Sequence, residues 1–240
     1  MGRYEQAYDS LGAVVDPELD EPITDLGFVH SLTVTPAGNV KVHLRLPTSF
    51  CAPNFAYLMA SDAKDVLTKL DWTRRVVVEL DDHHDSAIIN AGLAADAGYR
   101  GTFGHDADES LDELRETFRR KAHTAAMERC LTGWLRSDPA RSEASVGDVT
   151  LGELPDDDAK AALLGRRRGL GLSTAPDAFV LVDHDGRRYE PDAVPMALRR
   201  ARSTRISIDG NAHFCRGLLR TRYGDEPPAF VALSAVTVPN

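Results

Sequence analysis

"NVKVHLRLPTSFCAPNFAYLMASDAKDVLTKL", residues 39–70, changes its period halfway. Val40, Val42, Leu44 and Leu46 alternate with Lys41, His43 and Arg45, the period of a half-buried strand. His43 falls on the polar side and reads as solvated. From Phe55 on, Leu58, Met59, Ala63, Val66, Leu67 and Leu70 make one apolar stripe, which predicts a helix over 54–70. Pro53 suits its first turn, where a missing N–H breaks no intrahelical bond. Cys51 sits at the junction. A thiol just before a helix meets unpaired N–H groups and the positive end of the helix dipole, and both favour thiolate. Thr48 and Ser49 add hydroxyl donors to the same rim. Such a thiolate attacks an electrophile or binds a soft metal such as iron, copper or zinc. The alternative is a buried cysteine packing as a small hydrophobe.

Working outward, "FVHSLTVTPAGNVKVHLRL" (28–46) reads as a hairpin turning at "PAGN", and "RRVVVEL" (74–80) as a buried strand. Residues 4–15 read as a short helix ending before Pro17. The order helix-strand-strand-helix-strand predicts an α+β fold: a small mixed sheet with helices on one face. Residues 81–110 are rich in Gly and Asp and read mostly as loop. A long helix over 109–136 follows, roughly 40 Å in length, then a linker over 137–148. Beyond it the pattern is a C-terminal α+β extension: a hairpin at 179–189 turning on Asp-Gly, a short helix at 193–201, a strand at 204–208, a helix at 210–224 and a strand at 229–238. The expected domains are 1–82, 83–144 and 145–240.

The 240 residues are 42% apolar and 27% charged, an ordinary globular balance. A net charge of −9 opposes binding to bulk nucleic acid or anionic membrane. The basic runs at 166–168 and 198–205 read as solvated faces. Cys51, Cys130 and Cys215 include no CxxC pair, so neither a disulfide framework nor a zinc ribbon is indicated, and a reducing cytoplasm is the expected compartment. The N-terminus lacks the basic and apolar regions of a signal peptide. No apolar run approaches the roughly 20 residues of a membrane span.

A second motif, "VVDPELDEPITDLGFV" (14–29), precedes the hairpin. Asp16 suits a turn cap, and Gly27 a backbone angle other residues resist. These structural roles suffice by themselves. A functional role places Asp16 or Glu18 beside Cys51, as hydrogen-bond acceptors or metal ligands. Taken together, "DPEL…PITDLGFVHSLTV…GNVKVHLRLPTSFCAPNF" resembles the PaaD/SufT-type family of iron–sulfur cluster assembly proteins over about residues 4–82. Asp16, Pro17, Glu18, Asp25, Leu26, Gly27, Val29, Thr48 and Cys51 fall on the family pattern in order. The family loop usually has proline directly after the cysteine, whereas Ala52 intervenes here. The resemblance implies an accessory protein without turnover chemistry of its own, a maturation factor acting in the cytoplasm on client apoproteins. Its partners would be a client metalloprotein, other assembly factors or a second copy of the chain. Cys51 would be the reactive thiol, holding iron or an iron–sulfur cluster transiently. By analogy alone, a multicomponent di-iron monooxygenase is an expected client.

"DDHHD" (81–85) follows a strand and offers His83 and His84 as metal ligands alongside Cys51, or a plain solvated turn. His105 with Asp106 is a poorer pair. Cys130 reads as core or interface, and Cys215 near His213 as packing or a redox or metal pair. There is no Walker A or G-x-S-x-G motif. Two other classes remain: an enzyme with Cys51 as nucleophile and His83 or His84 as base, and a non-catalytic interaction module.

Overall fold

The computed structural model describes residues 1–104 and 111–224, together with the backbone of 229–232. The chain forms two compact units, one of residues 1–111 joined by the segment from Asn211 on, the other of 112–210.

In the first unit, α1 (Arg3–Leu11) leads to a two-residue ladder of β1 (Val15–Asp16) with β2 (Glu21–Pro22). The hairpin is β3 (Val29–Val34) and β4 (Asn39–Arg45), antiparallel, turning at Gly38 with φ +84°. Next come α2 (Pro53–Thr68) and β5 (Arg75–Asp81), and β5 lies parallel to β4. One helix between two parallel strands brings the carboxyl ends of β4 and β5 side by side, the edge where open α/β sheets place their sites. Leu32, Val42, Leu44, Leu67 and Leu80 share the core beneath the helices. Emptying one such position, as in Leu67→Ala, typically costs about 2–5 kcal/mol.

The opposite sheet face is polar. Lys41 pairs with Glu79 at 3.0 Å, and His43 Nδ1 lies 2.9 Å from Asp81 Oδ1. His43 is therefore paired across strands, not merely solvated. Arg45 follows the same alternation yet is 6% exposed, because its guanidinium lies 4.9 Å from the Tyr223 ring. The 74–80 run is an edge strand with only Val78 and Leu80 fully buried, not a strand covered on both sides.

Within the stretch 81–110 expected as loop, the described residues 81–104 are not mostly loop. They hold α3 (Ser86–Ala94) and α4 (Gly98–Phe103), with Ile89 and Leu93 buried in the core. Short Ala- and Gly-rich helices carry little periodicity of their own, and tertiary burial stabilises them. His105 and Asp106 lie outside the described residues.

In the second unit, α5 (Leu111–Arg136) is the expected long helix. The 137–148 linker ends in a 3₁₀ turn, Glu143–Asp148, that buries Val146 completely. α6 (Asp158–Gly169) is capped by Asp157, which accepts from the Lys160 amide at 2.9 Å. The Asp-Gly turn near 185 forms, but only an isolated bridge, Val182 to Arg188, stands where a hairpin was expected. The basic runs are not plain solvated faces. Arg167 is 2% exposed and donates to the Val180 carbonyl at 2.9 Å. Arg202 and Arg205 converge on the fully buried Glu128 carboxylate.

The last helix, α7 (Val194–Tyr223), is continuous. The 204–208 stretch expected as a strand is helical within it. Leu198, Ala201, Ile208, Ala212 and Leu219 are buried at spacings of three, four and seven, so the helical stripe overrides the weak β-preference of "TRISI". From Asn211 on, α7 belongs to the first unit. β6 (Ala229–Ala232) then joins the sheet parallel to β3, giving the order β5-β4-β3-β6. The rest of the 229–238 stretch lies outside the described residues.

Candidate functional site

Cys51 lies half-exposed at the carboxyl edge of the sheet, one residue before Ala52, the N-cap of α2, with Pro53 in the first turn. Its sulfur is 3.5 Å from Thr48 Oγ1. The Thr48 oxygen accepts the Phe50 amide at 3.2 Å, so the hydroxyl proton is available to the sulfur. The next loop, after β5, grips this one: the His84 amide donates to the Ser49 carbonyl at 2.9 Å. His83 Nδ1 accepts the Asp85 amide at 3.1 Å, and its Nε2–H donates to the Cys51 carbonyl at 2.8 Å. Both ring nitrogens of His83 are thereby engaged by backbone. The expectation of His83 as a metal ligand or as base to the thiol meets a different geometry: it clamps the loop. His84 stacks on Phe50, ring centroids 6.0 Å apart. Among the described residues no three His, Cys, Asp or Glu side chains form a group able to hold a metal ion.

Asp16 is 7% exposed and caps its own turn: Oδ1 accepts the Glu18 and Leu19 amides, both at 2.9 Å. Burial pushes its carboxyl up to about 6, the two amide bonds oppose that, and the Glu18 charge adds to it. Glu18 accepts from Asn211 Nδ2 at 3.2 Å. Gly27 has φ +75°, and a Cβ there would stand 3.3 Å from Leu219 Cδ2. The glycine thus serves both the turn and the close approach of α7.

The end of α7 is the component that sequence reasoning missed. Arg222 donates to Ser49 Oγ at 2.7 Å, to the Asp82 carbonyl at 2.6 Å and to the Leu46 carbonyl at 3.2 Å, tying together both loops that frame Cys51. Arg216 pairs with Glu21. Cys215, half-exposed on the same helix, packs against the first unit's core, as does Cys51. His213 is exposed, two residues along the helix, a spacing that turns side chains apart. The signal available in the sequence was the helical spacing of Asn211, Cys215, Leu219 and Arg222, but nothing local says what that face touches.

The first unit is a four-stranded α+β unit that carries a partly buried thiol on a clamped loop at the carboxyl ends of two parallel strands. The family described as iron–sulfur cluster assembly protein matches residues 4–80. An uncharacterized protein of Methanocaldococcus jannaschii is 30% identical over 89 residues, 37% of this chain and 92% of that protein. An iron–sulfur cluster carrier protein of Mycobacterium leprae is 45% identical over 42 residues, 18% of this chain and 11% of the carrier's length. The chain belongs to the iron–sulfur cluster assembly protein family through this N-terminal segment. No solved structure matches it significantly. No helix among the described residues is long and apolar enough to cross a membrane.

Proposed function

We propose that this protein is an iron–sulfur cluster assembly or carrier factor that matures client metalloproteins through Cys51. The observation that carries the reading is the partly buried Cys51, its sulfur beside the Thr48 hydroxyl, on a loop held by His83, His84 and Arg222. A thiolate here takes iron, or one iron of a cluster, as cargo, with the Thr48 hydroxyl donating to the sulfur. Iron–sulfur clusters take four protein donors. A site with fewer of its own holds a cluster only until a client supplies the remainder, which suits transfer. Phe50 is 82% exposed next to the thiol and gives an approaching partner an apolar contact. The expected clients are apo-metalloenzymes, with a multicomponent di-iron monooxygenase named by analogy of domain alone. A reducing cytoplasm would keep the thiol free.

The test is anaerobic reconstitution with ferrous iron and sulfide, followed by incubation with an apo-ferredoxin as a general acceptor. Wild type should bind iron and activate the acceptor, and Cys51→Ala should lose at least nine-tenths of both. Iron binding and transfer that survive Cys51→Ala, or neither in the wild type, would sink the reading.

A further inference from the structure

We propose that Cys215 is the second thiol of the Cys51 site, so that the last turns of α7 complete a dithiol site for a thiophilic metal, iron alone or as the edge of a cluster. The argument is one of placement. Asn211, Cys215, Leu219 and Arg222 recur at four, four and three residues, one face of a helix. The first is held by Glu18 at 3.2 Å, in the turn that Asp16 caps. The last is held by Ser49 at 2.7 Å, two residues before Cys51. Leu219 sits against Gly27. At 1.5 Å rise per residue, Cys215 lies about 6 Å along the axis from Asn211 and about 10 Å from Arg222. The helix therefore spans the gap between the Asp16 turn and the Cys51 loop, and Cys215 is the side chain it presents there.

Cys51 and Cys215 are both partly buried against the same core cluster. When a divalent ion binds, each thiol surrenders its proton and donates a sulfur lone pair, so two protons leave per ion. Cys215 lies outside residues 4–80, so it is an addition of this chain to the family's domain. The inference rests on the proposed function only for the identity of the cargo.

Two measurements on the full chain test it. The first is alkylation of the reduced protein with a short bifunctional bimane, which fluoresces on bridging two thiols, followed by peptide mapping. A Cys51–Cys215 bridge is expected, lost in Cys51→Ala and in Cys215→Ala and retained in Cys130→Ala. Single alkylation of both cysteines without a bridge overturns the proposal, and this arm needs no variant to fold. The second is anaerobic titration with cobalt(II), reading the sulfur-to-cobalt charge-transfer band and proton release. Wild type should release two protons per ion. Cys215→Ser, checked for native circular dichroism, should halve the band and weaken binding at least tenfold. Wild-type cobalt binding in Cys215→Ser, with loss in Cys51→Ala, removes the second thiol and leaves the proposed function standing. A two-thiolate cobalt site in a chain that transfers no iron to any acceptor upholds the dithiol and removes the proposed function instead.

Discussion

Asp16 is a carboxylate kept where it lowers stability. Its folded-state value of about 6 stands above the usual 3.8, so the folded chain holds its proton more tightly than the unfolded chain. The stabilisation is complete below about pH 3.8, declines as pH rises through the window up to about 6, and is absent above it. At neutral pH the buried charge costs about 2–3 kcal/mol. Asn retains the side-chain oxygen that caps the turn. Asp16→Asn is therefore expected to be about 2 kcal/mol more stable than wild type at pH 7.5 and equal to it near pH 4, by urea unfolding. A variant no more stable at pH 7.5 than at pH 4, relative to wild type, would contradict burial as the cause. Phe50 makes a different prediction. Because it is 82% exposed, Phe50→Ser should leave iron loading unchanged and slow transfer to an acceptor several-fold; equal transfer rates would remove it from the client contact.

At the scale of elements, the end of α7 acts as a strap over the site loops. Arg222 makes three hydrogen bonds there, and bonds to charged groups are each worth about 1.5–3 kcal/mol when buried. Partial exposure reduces this, so Arg222→Met should cost about 1–3 kcal/mol and speed iodoacetamide labelling of Cys51 several-fold. Unchanged labelling would mean that the loop holds itself. β6 closes the other edge of the sheet. Ending the chain at Gly224 should raise amide exchange of Ser31–Val34, which lose a parallel neighbour. The hairpin and α2 were legible because each carries its own period over six or more residues. α3 and α4 were not, since tertiary packing decides their conformation: Ile89 and Leu93 of α3 are buried in the core, and Tyr99 and Phe103 of α4 pack against it, partly buried.

Across the whole molecule, Asp16 and His123 contribute to acid stability in opposite senses. His123, in the second unit, is fully buried, and neither ring nitrogen has a hydrogen-bond partner among the described residues. Burial first, then Arg167, His184 and Arg166, lowers its value to about 4. The unfolded chain takes up the proton near pH 6.5, so stability is complete above that and falls by about 3 kcal/mol as pH drops toward 4. His123→Leu should flatten this decline in thermal melts; an unaltered slope would assign the acid sensitivity elsewhere. What the sequence determined by itself was the strand–loop–helix around Cys51, the Asp16 and Gly27 turns and the long fifth helix, because alternation, helical stripes and turn residues act between neighbours along the chain. What only the tertiary structure decided was the engagement of His83 by the Cys51 carbonyl, the burial of Arg45 and Glu128, the parallel seat of β6 and the packing of Cys215 against the first unit's core. Arg222 and Ser49 are 173 residues apart, and no local pattern encodes which distant surface a helix face will cover.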